Sequence, residues 1–155
     1  MYANAINLGR NAAIAALFVA ATLNASPGRA DSALAVGLPA DVSHEGFASG
    51  FKLNAPDMDV ARQGAIAGCQ KSVGASEAAR KLCKVVATFH NQCFAVAIDP
   101  ANGTPGVGWS IAENQKMADA QAIAQCRTTA GASRQQFCVV MEDRGTNRGC
   151  DGTAK

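Results

Sequence analysis

Large rings are scarce: six Phe, one Trp and one Tyr make up 5% of the 155-residue chain. Any core must therefore be built mainly from small and aliphatic side chains. Histidine occurs only twice, as His44 and His90, and the chain contains no G-x-S-x-G, H-E-x-x-H, P-loop or calcium-loop sequence. That removes the nucleophile elbow, the zinc-hydrolase helix and the phosphate cradle from consideration. There is also no excess of one charge, with 14 Lys+Arg against 12 Asp+Glu and a formal +2. So low a net charge argues against a partner that is a polyanion such as nucleic acid. What is abundant is apolar residue, 48% of the chain, which excludes wholesale disorder. The length suits one domain with a modest core.

Residues 1–30 are expected to be a secretory leader and not part of the fold. They hold Arg10 and no acidic residue before an apolar stretch, AAIAALFVAATL, at residues 12–23. Ser26-Pro27-Gly28 then breaks any helix, and Gly28-Arg29-Ala30 places small residues at −3 and −1 of a cut after Ala30, with a cut after Ala25 as the alternative. A helix over that apolar stretch would reach about 18 Å, short of the roughly 30 Å of a bilayer core, so no membrane span is expected. Removing the leader removes Arg10 and Arg29, leaving 12 basic and 12 acidic residues in a mature domain, residues 31–155. The nearest approach to a basic cluster, Arg80, Lys81 and Lys84, reads as a solvated loop running into a strand.

The mature chain carries an internal duplication. VARQGAIAGC, residues 60–69, matches MADAQAIAQC, residues 117–126, at an offset of 57, aligning Ala61 with Ala118, Ala65 with Ala122 and Cys69 with Cys126. Upstream, an offset of 60 sets Leu34-Ala35-Val36 on Phe94-Ala95-Val96, Gly46 on Gly106, Phe51 on Ile111 and Asn54 on Asn114. Downstream, an offset of 55 sets Cys83 on Cys138 and Val85 on Val140. Repeat 1 covers about residues 33–90, repeat 2 about 93–142, and a tail follows at 143–155.

Each repeat reads strand, strand, helix, strand. ALAVGLP and GFASGFKL alternate, a helix is predicted from about Asp57 to Ser72, and CKVVATF is β-branched. In the second half, CFAVAID ends in Pro100-Ala101-Asn102-Gly103, GVGWSIA puts Val107, Trp109 and Ile111 on one face, a helix runs from the N-cap Asn114 to about Ala130, and FCVVME closes the unit. Alanines four apart on each helix let it lie close to a sheet. The expected fold is a two-layer α+β domain of duplicated ββαβ repeats, two helices on a largely antiparallel sheet.

Six cysteines allow 15 pairings. The duplication makes Cys69–Cys83, Cys126–Cys138 and Cys93–Cys150 the simplest symmetric set, in which two bridges tie a helix end to the following strand and the third clamps the tail. Cys83, His90 and Cys93 could instead hold zinc, but paired C-x-x-C knuckles are missing and an exported chain favours disulfides. No metal and no cofactor are expected.

Taken together, Ala-x-x-x-Ala-x-x-x-Cys, Cys-x-Val-Val, Phe-His-Asn-Gln-Cys-Phe-Ala-Val-Ala and Gly-Val-Gly-Trp-Ser resemble the bacterial domain-of-unknown-function family 4189, over about residues 33–138. The resemblance implies export and a duplicated, cysteine-bearing fold; it carries no catalytic residues. The first repeat has Ala48-Ser49-Gly50 where Gly108-Trp109-Ser110 stands in the second, so the family's aromatic-glycine strand is expected in the second half alone.

Little in the chain points to chemistry. His44-Glu45 falls in the first hairpin loop, outside the duplicated scaffold, and His90 sits in the Phe89-His90-Asn91-Gln92 corner where a structural hydrogen bond suffices. Asp57 and Asp59 at a helix start are explained by the helix dipole, and Asn102-Gly103-Thr104 is a hairpin turn before it is a glycosylation acceptor. No catalytic residue is assigned. The expected function is an exported, non-enzymatic module binding a protein or envelope component, with Trp109, His44 and His90 as its binding surface; the alternative is a small hydrolase using His44 or His90 in the periplasm or outside the cell.

Overall fold

The computed structural model describes residues 31–140, 147–152 and 154, so the expected leader lies outside the described residues. The first strand, β1 (Asp31–Gly37), alternates: Leu34 and Val36 point to one face, Ala33 and Ala35 to the other, and all four are buried. It is the centre of a 3-stranded antiparallel sheet, flanked by β2 (Ala48–Ala55) and β3 (Lys84–Phe89) in the order β2-β1-β3. The short helix α1 (Val42–Glu45) lies in the β1–β2 connection, and α2 (Met58–Gln70) and α3 (Glu77–Lys81) lie between β2 and β3. Helix α2 starts at Asp57, whose carboxylate accepts from Val60 N at 2.8 Å.

The second half repeats this plan. Strand β4 (Cys93–Ile98) is central, β5 (Val107–Ala112) pairs along one side, and α4 (Gln115–Thr129) starts from the N-cap Asn114, whose side chain accepts from Met117 N. The other side of β4 is covered by two short strands laid end to end. β6 (Val139–Val140) pairs with Ala97 and Ile98, and β7 (Arg148–Cys150) with Cys93, Phe94 and Ala95. A one-turn 3-10 helix (Gln135–Phe137) precedes β6. The C-terminal tail thus completes the second sheet.

The architecture is α+β and antiparallel, with α2 packed on the first sheet and α4 on the second, each as a two-layer unit. The expected single sheet is two, lying face to face between the helices. Leu34, Val36 and Phe89 from the first meet Phe94 and Val96 from the second, with Phe47, Phe51, Trp109 and Ile111 around them. The outer faces of both sheets are mostly Ala and Gly, and they meet Ala61, Ala65 and Cys69 of α2 or Ala118, Ala122 and Cys126 of α4. The split follows from this composition. Nearly all the rings and larger aliphatics are on the faces that meet each other, and the small residues are on the faces that meet helices.

The helix–sheet seams are close enough to fix the true correspondence of the repeats. Gly50, paired with Ala35, and Gly108, paired with Ala97, occupy the same place: a Cβ on either would fall inside contact distance of the helix backbone, at Cys69 N and Cys126 N respectively. The second strands therefore correspond at an offset of 58 and the first strands at 62, not the expected 60. A two-residue slip leaves every side chain on its own face, so alternation alone could not reveal it. With the register corrected, Gly50-Phe51 lies over Gly108-Trp109, and the aromatic-glycine strand is present in both halves.

Three disulfides staple the domain: Cys69–Cys83, Cys126–Cys138 and Cys93–Cys150. The first two join the end of α2 or α4 to the chain entering β3 or β6. The third joins directly opposed residues of β4 and β7.

Candidate functional site

A cleft opens at the end of the sandwich where the two hairpin connections face each other. The β1–β2 connection contributes residues from Val42 to Phe47, the α2–α3 connection Val73, Gly74, Ala75 and Ser76, and the β4–β5 connection residues 98–104 and Gly106, enclosing about 640 Å³. A second hollow of about 660 Å³ adjoins it and shares Phe47, Val73 and Ile98. It runs along β2 past Ser49, Gly50 and Phe51 to Lys71 and Ser72. Val73 is 89% exposed, an apolar side chain standing at the rim of both.

Each wall is held by its own local chemistry. Asp41 caps α1, accepting from His44 N at 3.2 Å, and its second oxygen lies 2.6 Å from His44 Nδ1. These bonds hold the Asp41 carboxyl below the usual range. Ser76 N donates to Glu45 O at 2.9 Å, joining the first two walls, while Ser76 Oγ accepts from Ala79 N as the cap of α3. The third wall is anchored by Asp99, whose side chain is fully buried. Arg134 reaches it with Nε and Nη2, both at 2.7 Å, and Ala101 N donates at 3.1 Å. The Arg134 bonds, against the cost of burial, keep the Asp99 carboxyl below its ordinary value. Thr104 Oγ1 donates to Ala101 O at 2.8 Å and tightens the same turn. Ser76 and Thr104 hydroxyls are thus engaged in holding loops.

Of the residues singled out in the sequence, His44 lines this cleft, its side chain 84% exposed. Trp109 is half-buried between the sheets and stacks on Phe47 with ring centroids 6.5 Å apart, so it supports the cleft from below. His90 follows β3, whose end pairs with Ser32 at the start of β1; His44 follows the far end of β1. The two histidines therefore stand at opposite ends of the first sheet. His90 Nε2 lies 3.2 Å from Asn91 Nδ2 in the corner between β3 and β4. Cys83 and Cys93, the other members of the zinc alternative, are in separate disulfides, and among the described residues no group of three His, Cys, Asp or Glu could hold a metal. Arg80 and Lys81 are on α3, not in a loop, with Arg80 Nη1 on Ala75 O and Lys81 on Glu77.

Sequence reasoning missed Asp99, Arg134, Phe47 and Val73. For Asp99 half a signal exists, an Asp before Pro100-Ala101-Asn102-Gly103 that fits a turn, but nothing links it to an arginine 35 residues on.

A family model described as a domain of unknown function, DUF4189, matches residues 37–143. The chain belongs to this family. No curated protein and no solved structure matches it. In this DUF4189 chain a stapled scaffold presents three loops around a cleft with the exposed Val73 at its rim. The disulfides, and the lack among the described residues of any helix long and apolar enough to cross a membrane, are compatible with an exported protein.

Proposed function

We propose that the chain is an exported, non-enzymatic binding module that takes a protein or envelope component in the cleft between its two halves. Its leader is removed after Ala30, and the domain works in the periplasm or outside the cell, as an inhibitor, immunity-type or host-interaction factor. The observation that carries this is the pair of adjoining hollows sharing Phe47, Val73 and Ile98. They are rimmed by loops that the two halves do not share, on a scaffold held by three disulfides. Variable loops on a rigid frame are the usual place for recognition, and exposed apolar side chains there are what a partner would cover. Pull-down from envelope or host extracts is expected to return one partner, lost with Val73→Asp and kept with the same change at exposed Ser133. Repeated failure to capture any partner would count against the proposal. A gene for a toxin or secreted effector beside this one would favour the immunity form.

A second reading is supported by the Asp41–His44 pair, 2.6 Å apart at the mouth of the cleft, in which the carboxylate orients the imidazole as in many hydrolases. In that reading the chain is a small exported hydrolase using His44, or His90 in a separate site. No activity on broad substrate panels, or activity unchanged in His44→Ala/His90→Ala, would remove it.

A further inference from the structure

Among the described residues two carboxylates are buried, Asp99 and Asp151, and they are treated differently. Asp99 has a guanidinium and a backbone amide. Asp151 is 0% exposed, and neither of its carboxylate oxygens has a hydrogen-bond partner. It follows Cys150, with its N–H donating to Gln92 O at 2.9 Å and its carbonyl accepting from Ala154 N at 3.2 Å, so the backbone is fixed while the charge is unanswered. An ionised carboxylate in that state is strongly unfavourable, and such groups are ordinarily paired with a cation. The basic side chain nearest to it in sequence is engaged elsewhere, Arg148 lying 3.2 Å from Asp119.

The place of Asp151 in the fold names a different cation. Gly152 N donates to Asn54 Oδ1 at 2.9 Å, and Asn54 N donates to Ser32 Oγ at 3.0 Å. Two hydrogen bonds therefore connect the tail to Ser32, the neighbour of Asp31 at the head of β1. The β3–β4 corner makes the same link, since Phe89 pairs with Ser32 on one side of it and Gln92 accepts from Asp151 on the other. Asn54 and Asn91, with φ of 52° and 51°, both turn the backbone at this corner.

We propose that removal of the leader supplies the missing charge: the α-ammonium of Asp31 pairs with the Asp151 carboxylate and locks the tail onto the first strand. The step is hydrolysis of the Ala30–Asp31 peptide bond by a leader-removing peptidase. Water gives its hydroxyl to the Ala30 carbonyl carbon and a proton to the Asp31 nitrogen. The amine so released is protonated at neutral pH, its ordinary pKa being about 7.7–8.0. The fold is thus completed only after export. This inference rests on the export reading through its cleavage site.

The test is a double-mutant cycle on the disulfide-bonded domain, prepared with Asp31 as first residue or with Gly-Ser ahead of it, each with and without Asp151→Asn. In the Asp31-first chain, Asp151→Asn is expected to lower the folding equilibrium constant about a hundredfold. In the extended chain it is expected to leave stability unchanged or raise it, because there it removes an unpaired buried charge. Equal losses in both backgrounds overturn the proposal. So does stabilisation of the extended chain by millimolar calcium that needs Asp151, which would make the cation a metal. Should Asp151→Asn fail to fold, pH decides. An α-ammonium whose pKa is raised by pairing stabilises the chain fully below about pH 7.7 and loses that contribution as pH rises through its folded value. The Asp31-first chain should therefore lose thermal stability above pH 8 relative to the extended chain, and parallel profiles would contradict the proposal. Mass analysis of the exported protein separates the two ideas: a first residue other than Asp31 removes the export-site reading, whereas an additive cycle with Asp31 first removes this inference alone.

Discussion

The two halves of the chain share a seam and differ at an edge. In both, an Ala-x-x-x-Ala-x-x-x-Cys helix lies against a glycine of the second strand, Gly50 or Gly108, with no room for a methyl group. Along the outer side of that strand the halves part. In the second, α4 covers the edge: Thr129 Oγ1 accepts from Val107 N and donates to Val107 O, both at 2.8 Å, and Gln125 Oε1 accepts from Trp109 N at 2.7 Å. In the first, Ser72 makes the Thr129 bond to Ser49 N, at 3.4 Å, but Gly68 stands where Gln125 would be. Among the described residues no side chain bonds Phe51 N as Gln125 bonds Trp109 N, and the second hollow lies along this strand. Duplication preserves what the helix–sheet contact dictates and frees the edge, and the candidate site opens beside the freed edge.

The same contrast appears one turn away. Gly37 ends the first strand under α3, because a Cβ there would collide with Ala79 O. Its counterpart at an offset of 62 is Asp99, which has Arg134 in place of a second helix. Each half thus closes the same corner by a different route, one by backbone packing and the other by an ion pair.

The shared seam and the disulfides give the large predicted effects. Gly50→Ala and Gly108→Ala each force helix and sheet backbones apart and are expected to cost about 3 kcal/mol or more. Chemical denaturation of the matched pair should give similar losses; a large loss in one half alone would break the equivalence. Removing the repeat staples, as Cys69→Ser/Cys83→Ser or Cys126→Ser/Cys138→Ser, opens chain separations of 14 and 12 residues and is expected to cost about 3 kcal/mol each by the chain-entropy relation. The clamp Cys93–Cys150 closes 57 residues and should cost about 4 kcal/mol. Thermal unfolding of the three double-Ser variants checks the order.

The edge predicts smaller effects of opposite sign. Gln125→Ala unseals Trp109 N and is expected to cost about 1 kcal/mol. Gly68→Ala adds a methyl at ordinary contact with Gly50 Cα and Phe51 N, at 3.4 and 3.6 Å, and removes a helix-interior glycine. It should stabilise by about 0.4–1 kcal/mol. The last difference shows only in acid. Asp99 is held ionised in the folded state, so its contribution is complete above the unfolded value near 3.9 and is lost as pH falls through its lower folded value. Melting curves between pH 7 and pH 3 should show this loss in the parent chain and a shallower one in Asp99→Asn.

Much of this was legible in the sequence where periodicity and duplication speak. Alternation found the strands, the alanine stripes found the helix faces, and the N-cap Asn114 and the carboxylates Asp57 and Asp59 marked the helix starts. The register was not legible, because Leu34-Ala35-Val36 and Phe94-Ala95-Val96 agree as well two residues out of step and only the contact at Gly50 and Gly108 decides. Nor was the division into two sheets, which depends on the aromatic faces finding each other. Of the candidate site, His44 was visible as a loop residue. Phe47 and Val73 were not, since an apolar residue in a loop announces neither exposure nor neighbours. The pairing of Asp99 with Arg134 and the isolation of Asp151 are three-dimensional facts with no local pattern.

The measurement that bears most directly on the account places a photo-reactive amino acid at Val73, in the cleft beside the freed edge, and at Ser133, exposed after α4 in the other half. Irradiation of the exported protein in its native extract should give a discrete adduct from Val73 and none from Ser133. Equal labelling at both positions, or none at Val73, would contradict the account.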